Sequence, residues 1–598
     1  MQPEVGWTTG PEECRPAITA ETSGWSSGLS VGRRWELVMH TDHDLDRLHG
    51  LLRRIDGRPY PAYRDIKGGW TLPGLRLRVD HVQGDPFAAP SRLRLRVADT
   101  GISAAIVQDP VRRMAAEDWL LRRLLSHLRS VDRGSGKSGQ INILRPGPQV
   151  MKRSAVCLLQ TEPGTVEVRF SAGLPARGRR ILGRQALALL TEDIPRAAQS
   201  LSAVGGLAAL HEHIDSVVVQ QELRAALRAH KLVAFVADGA VLPRASGVDT
   251  CALPGAVAFT SPEALAVTLT TSAGPITGMG IPQGITVITG GGFHGKSTLL
   301  SALQTGHLDH VPGDGRERVV ADVDTVKVRA EDGRRIEKVD VSAFFTDLPG
   351  GRSTRPLSTD DASGSTSQAA AIMEALESGA QVLLMDEDTC ATNLMVRDLR
   401  MRQLIGEGEP ITPLVERIQA LHTQHAVSTV LVIGGVGDYL SVADTVILMK
   451  DWQAHEVTAA ASKLAGSPPA AEREMLTPLA RIPTPGSLQP TGKGRIRARD
   501  GRRIEYGREE IDLGAVEQLP TGARARSAGL ALDLIARDIA DGGRTIPELL
   551  DGLDAILKAE GLDALSPFVD PVGDIVEVRR HEVAACLNRL RSLSVSTP

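Results

Sequence analysis

Residues 290–297 constrain most strongly what this chain folds into. They read Gly-Gly-Gly-Phe-His-Gly-Lys-Ser and match the GxxxxGK[ST] phosphate-binding loop in full. The apolar run 285–289 precedes the loop, and a helical pattern opens at Thr298. This strand–loop–helix context predicts a phosphate site, because the N–H groups of the loop and the helix N-terminus surround the anion together.

The residue types of the loop suit a nucleoside triphosphate. Lys296 is expected to reach the β- and γ-phosphates, and Ser297 to ligate Mg²⁺. ATP and Mg²⁺ are therefore the predicted cofactors. The predicted nucleotide-binding residues of this loop are Gly290, Gly291, Gly292, Phe293, His294, Gly295, Lys296, Ser297 and Thr298.

A second motif is the apolar run 382–385, which ends in the paired acids Asp386 and Glu387. Acids at the carboxyl end of a parallel strand face the edge of the sheet where ligands bind. Asp386 is the candidate ligand of Mg²⁺, and Glu387 is the candidate general base that polarises the attacking water. The alternative for such a pair is two solvated acids after a buried strand.

A third motif distinguishes among P-loop classes. Ser363, Gly364 and Ser365 stand before a helical stretch, upstream of Asp386, and resemble the signature loop of ABC ATPases. By that resemblance they bind the γ-phosphate held by the opposite subunit. The segment 388–393 stands at the place of the ABC D-loop. Alone, a Ser/Gly cluster before a helix is usually an N-cap.

Longer strings match one family. The chain from about residue 45 resembles the predicted ATPases of the ABC class in several stretches, namely 83–88, 133–139, 232–239, 278–282, 312–317, 386–393 and 434–439. The resemblance implies an ABC dimer without transmembrane domains, flanked by N- and C-terminal domains of its own. The associations of the family lean towards RNA binding.

Two positions depart from ordinary ABC ATPases. The switch histidine is replaced by Gly434-Gly435, and Asp438 is the nearest polar candidate for the γ-phosphate region. The glutamine loop has no glutamine, and Asp347 stands at its approximate place as a candidate metal ligand. Both losses are expected to slow hydrolysis, because water positioning and charge stabilisation are the catalysis in phosphoryl transfer.

The charge of the chain is unevenly distributed. The net charge is only −4, yet residues 31–184 hold 28 Lys and Arg against 15 Asp and Glu. Such an excess predicts a cationic face for a polyanion, with solvated surface arginines as the equally weighted alternative. The alternating runs 75–79 and 93–97 predict strands with outward rows of arginine.

A helical pattern over 111–130 and the glycine-rich loop 133–139 supply the candidate nucleic-acid contacts. The loop lacks the first glycine of a P-loop, because Val131 occupies that position. Its amides and cations remain candidates for a nucleic-acid phosphate. The candidate contacts are Arg112, Arg113, Arg122, Arg123, Arg133 and Lys137.

These patterns predict an α/β fold in which an ABC-type P-loop NTPase core joins a mixed α+β N-terminal domain and a mostly helical C-terminal domain. The predicted ranges are a flexible tail 1–30, a basic domain 31–245, the ATPase core 246–465, and a linker with a helical domain 466–598. Five scattered cysteines and the lack of an apolar span indicate a reducing cytoplasm and no membrane.

The leading hypothesis is an ATPase that works as a homodimer and couples ATP hydrolysis to RNA binding. One alternative is a nucleotide-gated clamp with little or no turnover, which the missing switch histidine favours. A second alternative is DNA as the ligand, since a phosphate-reading surface does not distinguish the two nucleic acids. A third, the ATPase subunit of a transporter, is weakened by the large flanking domains.

Overall fold

The computed structural model describes residues 43–247, 249–346, 348, 351–396, 409–465, 477–492, 494–498, 501–519 and 521–597. The predicted tail 1–30, the candidate ligand Asp347 and the first part of the predicted linker lie outside these ranges. The described residues from 43 onward belong to one compact unit. None of its described helices is long and apolar enough to cross a membrane.

The central element is a six-stranded sheet with the α/β topology that the sequence predicts. Its first five strands are parallel and the last is antiparallel. The apolar side chains of the central strands are buried, as expected for a sheet covered on both faces. In spatial order the strands are Thr325–Lys327, Val382–Asp386, Ser428–Val432, Ile285–Thr289, Thr445–Lys450 and Gln453–Glu456.

Helices and a second sheet surround this core. The helix Lys296–Thr305 follows the phosphate loop, and Gly364–Glu377 leads into the strand of the paired acids. Further described helices of this region are Thr392–Met395, Ile418–His425 and Thr458–Leu464. The antiparallel sheet has the order Ala266–Thr271, Gly274–Pro282, Leu232–Ala237 and Val319–Ala321, and Arg334–Val339 pairs with Leu357–Ala362.

The N-terminal part is an antiparallel sheet covered by helices. The two predicted alternating strands are confirmed and belong to this sheet. The long helix Pro110–His127 packs against Ala208–Ala229, which leads into the antiparallel sheet of the core. The sheet strands are Gly68–Leu72, Leu75–His81, Ser91–Val97, Val166–Ala172 and Ile141–Asn142, with Val156–Leu158 also paired to Val166–Ala172. The remaining helices are Leu45–Ile55, Ala104–Gln108, Gly183–Ala188 and Ile194–Ala198.

The C-terminal part combines a small sheet with helices around its own apolar cluster. A buried loop residue, Gln518, links this part to the core. The strands are Ile496–Ala498, Arg503–Tyr506 and Glu509–Asp512, and the longer helices are Gly522–Leu534, Ile546–Glu560 and Arg580–Asn588. Val595–Ser596 pairs with Ile482–Pro483, which ties the end of the chain to the segment that enters this part.

Candidate functional site

The phosphate loop has a backbone that only particular residues tolerate. Gly290 has φ +141°, and a Cβ there would lie 2.2 Å from the carbonyl oxygen of Met449. Gly295 has φ +96°, and a Cβ there would lie 3.0 Å from the Trp452 ring. Phe293 also has a positive φ, 63°, although it is not glycine, and its side chain is 99% exposed. The loop is therefore tightly held on one side and carries an exposed aromatic ring on the other.

Lys296 is folded back over the loop. Its Nζ donates to the carbonyl oxygens of Gly290 and Gly291, each at 2.8 Å. The helix begins at Lys296, so Ser297 and Thr298 lie in its first turn, where free backbone N–H groups and the helix dipole favour an anion. His294 accepts a hydrogen bond from the backbone N–H of Asp451 at 2.8 Å, which fixes the middle of the loop.

The paired acids stand two strands away, at the same edge of the sheet. Asp386 is 6% exposed and ends its strand, while Glu387 is partly exposed. Burial raises the pKa of Asp386 above its usual range, although the hydrogen bond from the backbone N–H of Asp388 opposes this rise. A buried carboxylate oxygen and the hydroxyl of Ser297 are the hard ligands that Mg²⁺ prefers, so the residues present fit this ion.

The carboxylate of Glu387 is held by backbone N–H groups of the two glycines that stand at the position of the switch histidine. The N–H groups of Gly434 and Gly435 donate to Glu387 Oε2 at 2.6 and 3.1 Å. Because these glycines follow the strand Ser428–Val432, they lie between the acids and the phosphate loop. Asp438 is exposed at the start of a short helical turn, and its carbonyl accepts from Ser441. Within the described ranges, the groups that donate to the Glu387 carboxylate are thus the N–H groups of the two glycines.

The candidate signature loop begins a fourteen-residue helix. Ser363 is its N-cap and accepts from the N–H of Thr366, while its hydroxyl lies 3.3 Å from that of Ser365. Gly364 faces Asp332, whose Oδ1 would lie 3.2 Å from a Cβ at that position. The loop therefore presents hydroxyls and helix amides at its own surface.

Gln368, on the same helix, was missed by sequence reasoning. It is fully buried, and its Oε1 accepts from the N–H of Ala391 at 2.7 Å, inside the predicted D-loop segment. Its Nε2 donates to the sulfur of Met395. The signature helix and the segment after the acids are therefore linked by one side chain. A single glutamine in a helical pattern does not indicate such a link in the sequence.

A second group of missed residues comes from the C-terminal part. Gln518 Nε2 donates to the carbonyl oxygens of Gln304 and Thr325, and its Oε1 accepts from the N–H of Lys327. Glu517 accepts from Lys327 Nζ at 2.5 Å. The C-terminal part thus contacts the end of the phosphate-loop helix and the strand beside that of Asp386. These contacts join residues about two hundred positions apart, which no local pattern reveals.

The arginines predicted to bind nucleic acid mostly have internal partners. Arg122 pairs with the buried Asp118 at 2.7 Å, and Arg133 pairs with Asp193 at 2.5 Å. Arg112 lies 3.7 Å from Asp215. Arg113 and Arg123 donate to the carbonyl oxygens of Val107 and Ser200. Of the six candidates, Lys137 alone has a side chain that makes no hydrogen bond or ion pair within the described residues.

The expected rows of solvent-facing arginine are also largely absent from the described strands. Arg94 pairs with Asp80 and Glu167, and Arg96 with Glu162 and Glu167. Asp80 and Glu167 come from the two neighbouring strands, where cross-strand pairs meet, and Glu162 lies in the turn before the second of these strands. The arginines do alternate with buried apolar residues as predicted, and Arg76 is exposed, but Arg94 and Arg96 are ion-paired and half-buried, less exposed than expected for a free cationic row.

A different basic surface lies around the glycine-rich loop. The N–H of Ser135 donates to Ala176 O, and a Cβ at Gly136 would lie 3.0 Å from the ring of Phe87. Phe87 is 60% exposed. We call this surface the loop patch; it consists of Phe87, Lys137, Arg177 and Arg179, and both arginines are exposed.

The fold and the loop define a P-loop ATPase domain, and comparison with known proteins narrows this class. Residues 207–482 match a family model described as the P-loop domain of ABC ATPases, and residues 45–202 match the N-terminal region of ATPases of the ABC class. Residues 495–596 match the MRB1590 C-terminal domain. The chain therefore belongs to the family of ATPases of the ABC class, as the sequence resemblance indicated.

One relative gives a partial match. The uncharacterized protein MJ1628 of Methanocaldococcus jannaschii is 31% identical over 182 residues, which are 30% of this chain and 40% of that protein. The match thus spans less than half of the length of either protein.

Proposed function

We propose that this protein binds and hydrolyses ATP with Mg²⁺ at the interface of a homodimer and couples this cycle to RNA binding. One observation carries the proposal: three adjacent parallel strands bring the phosphate loop, Asp386 with Glu387, and the Gly434-Gly435 amides to one edge of the sheet. A cytoplasmic setting fits the described cysteines, which are free thiols.

The proposed chemistry follows from these groups. Glu387 accepts a proton from water as the water oxygen bonds to the γ-phosphorus, and the bond from that phosphorus to the β-phosphate oxygen breaks to release ADP. The two glycine amides fix the carboxylate for this step. Lys296 leaves its carbonyl partners and balances charge on the phosphates. When bound, Mg²⁺ supplies charge neutralisation on the β- and γ-phosphates, and Ser297 and Asp386 would hold it.

The proposal of a dimer rests on two surface features, the Phe293 side chain in the phosphate loop and the loop 363–365. Phe293 is almost wholly exposed with a strained backbone, and such strain is commonly retained at functional sites. The Ser363–Ser365 loop offers hydroxyls and helix amides that suit a phosphate. We infer that this loop of one subunit covers the γ-phosphate bound by the other and that Phe293 lies in the contact.

The turnover proposal is tested by steady-state phosphate release from wild type and Glu387→Gln. We expect a loss of about 100-fold in the variant, because the base that takes the proton of water is gone. Equal rates would instead favour the nucleotide-gated clamp, which the glycines at the switch position support. ATP binding by both proteins, measured by calorimetry, separates lost chemistry from lost affinity.

The RNA proposal rests on the loop patch, which combines cations with an exposed aromatic ring. Single-stranded nucleic acid binds such surfaces through phosphates and stacked bases. We expect Lys137→Glu with Arg177→Glu to weaken RNA binding at least tenfold at low salt, and the wild-type affinity to fall steeply with added salt.

Arg508→Glu, an exposed charge reversal in the C-terminal part, is the matched control and should leave RNA affinity within twofold. Titrations with a DNA strand of the same sequence identify which nucleic acid is preferred. An RNA affinity unchanged in the double variant, or no binding by wild type, contradicts the loop patch as the RNA contact.

A further inference from the structure

A cavity of about 470 Å³ adjoins the phosphate loop. It begins at Ser297 and Thr298 and follows the helix to Thr305. Arg244 and Thr250 form part of the opposite wall, and residues of the N- and C-terminal parts reach its far side. Its volume lies in the range of small-molecule sites. The cavity is therefore continuous with the site proposed for the phosphates.

The helix side of this cavity is a stripe of hydroxyl groups. Ser297, Ser301 and Thr305 follow one another at four-residue spacing, so they lie on one face over about 12 Å of helix. Ser301 accepts from Arg316 Nη1 at 3.4 Å, and Thr305 donates to the carbonyl of Ser301. Among the described residues that line the cavity there is no Phe, Tyr or Trp. Recognition in it must therefore depend on hydrogen bonds rather than on stacking against such rings.

Arg316 gives the cavity a cation. It is 5% exposed, and its Nε and Nη2 donate to the carbonyl of Leu242. The nearby carboxylate of Asp314 is taken by Arg244 at 2.8 Å, and Arg316 has no ion pair within the described residues. Burial and the nearby Arg244 guanidinium lower the pKa of Arg316 to about 10, because both disfavour its charged form. An anion beside Arg316 would stabilise that charged form. A buried arginine without a carboxylate partner is suited to a phosphate.

We propose that the nucleoside half of ATP enters this cavity. Arg316 then faces the α-phosphate, the hydroxyls of Ser301 and Thr305 face the ribose, and polar side chains at the far side of the cavity face the base. This inference rests on the proposed ATP site, because a nucleotide places its nucleoside in the cavity only if its terminal phosphates occupy the phosphate loop. It assigns base and sugar recognition to hydrogen bonding by Ser301, Thr305 and their neighbours.

The test compares ATP with inorganic tripolyphosphate, both with Mg²⁺, by calorimetry on the full chain. Tripolyphosphate occupies the phosphate loop without a nucleoside, so the two ligands report on different halves of the site. Two variants obstruct the cavity: Ser301→Met on the helix and Thr250→Trp on the exposed wall. Ser462→Met and Thr423→Trp, at exposed helix positions elsewhere, are the matched controls.

We expect both cavity variants to weaken ATP at least tenfold and to leave tripolyphosphate within twofold, while the controls bind both ligands as wild type does. Thermal unfolding identifies any variant that fails to fold, and Thr250→Trp, on the surface, keeps the test valid if Ser301→Met is unstable. Unchanged ATP affinity in the folded variants overturns the proposal but leaves the ATP site intact. Equal losses for both ligands also overturn it. Failure of the wild type to bind either ligand overturns the proposed function itself.

Discussion

The phosphate loop and the basic N-terminal part use charged residues in opposite ways. In the loop, Lys296 donates to two carbonyl oxygens and has no acidic partner in the described part of the chain, so it can exchange them for a phosphate. In the N-terminal part, Arg122 and Arg153 both pair with Asp118, whose side chain is fully buried. One cation is kept available for a ligand, and the others stabilise the fold.

The difference shows what a count of charges can indicate. The positive excess of residues 31–184 is real, but much of it is neutralised locally, and Arg169 is neutralised by Asp563 from the C-terminal part. Only the exposed remainder, such as the loop patch, is available to a polyanion. A motif that binds its ligand through backbone amides is not neutralised by nearby acidic side chains in this way.

The largest expected effect is the loss of turnover when Lys296 of the phosphate loop is replaced. Lys296→Ala should lower turnover by at least about 100-fold, because a charge that stabilises the transferring phosphoryl group is removed. Its urea unfolding midpoint should stay close to that of wild type, since Lys296 makes no ion pair among the described residues. Phosphate release and denaturation together check this. A large fall in stability would break the contrast between the two regions.

The reverse result is expected at Asp118. Burial alone would raise its pKa, but His213, Arg153 and Arg122 hold the pKa below its usual value. Asp118→Asn should therefore cost about 3 kcal/mol of unfolding free energy, because buried arginines lose their counter-charge.

Asp215→Asn, which removes an exposed acid 3.7 Å from Arg112, is its control and should cost less than about 0.5 kcal/mol. Urea denaturation measures both variants. Equal small losses would mean that the buried cluster does not stabilise the N-terminal part.

A smaller effect tests whether backbone amides replace the switch histidine. Gly435→Pro removes one N–H donor to Glu387 and should lower phosphate release about tenfold, the worth of one lost hydrogen bond to a charged group. Gly435→Ala keeps the donor, and its Cβ would lie at an ordinary 3.5 Å from the carboxylate. Similar rates for the two variants would show that the amide does not position the base.

The smallest expected effect is a pH dependence in the N-terminal part. Burial raises the pKa of Glu117 from 4.5 to about 7, so the native state binds the proton more tightly than the unfolded chain does. Stability then falls as pH rises between these two values, by up to about 1.4 kcal/mol for each pH unit. Glu117→Gln should flatten this slope, and the exposed Glu212→Gln should not. Unfolding curves at several pH values measure it; a slope unchanged in Glu117→Gln contradicts the shift.

Much of the fold was predictable because its signals are local. The strand 285–289, the loop and the paired acids each occupy a few consecutive residues, and the α/β core that they predict is the one found. The contacts of Glu387 were not predictable, because sequence motifs record side chains and here the donors are backbone N–H groups. The roles of Gln368 and Gln518 were not predictable for a different reason: each side chain hydrogen-bonds to residues distant in sequence.

The position of Gln518 has a mechanical consequence. One amide group hydrogen-bonds to both the last turn of the phosphate-loop helix and the strand next to that of Asp386. A rotation of the C-terminal part must therefore either change the distance between that helix and that strand or break the hydrogen bonds of Gln518. The C-terminal part is in this way connected directly, through one side chain, to the two elements that carry the phosphate loop and neighbour the paired acids.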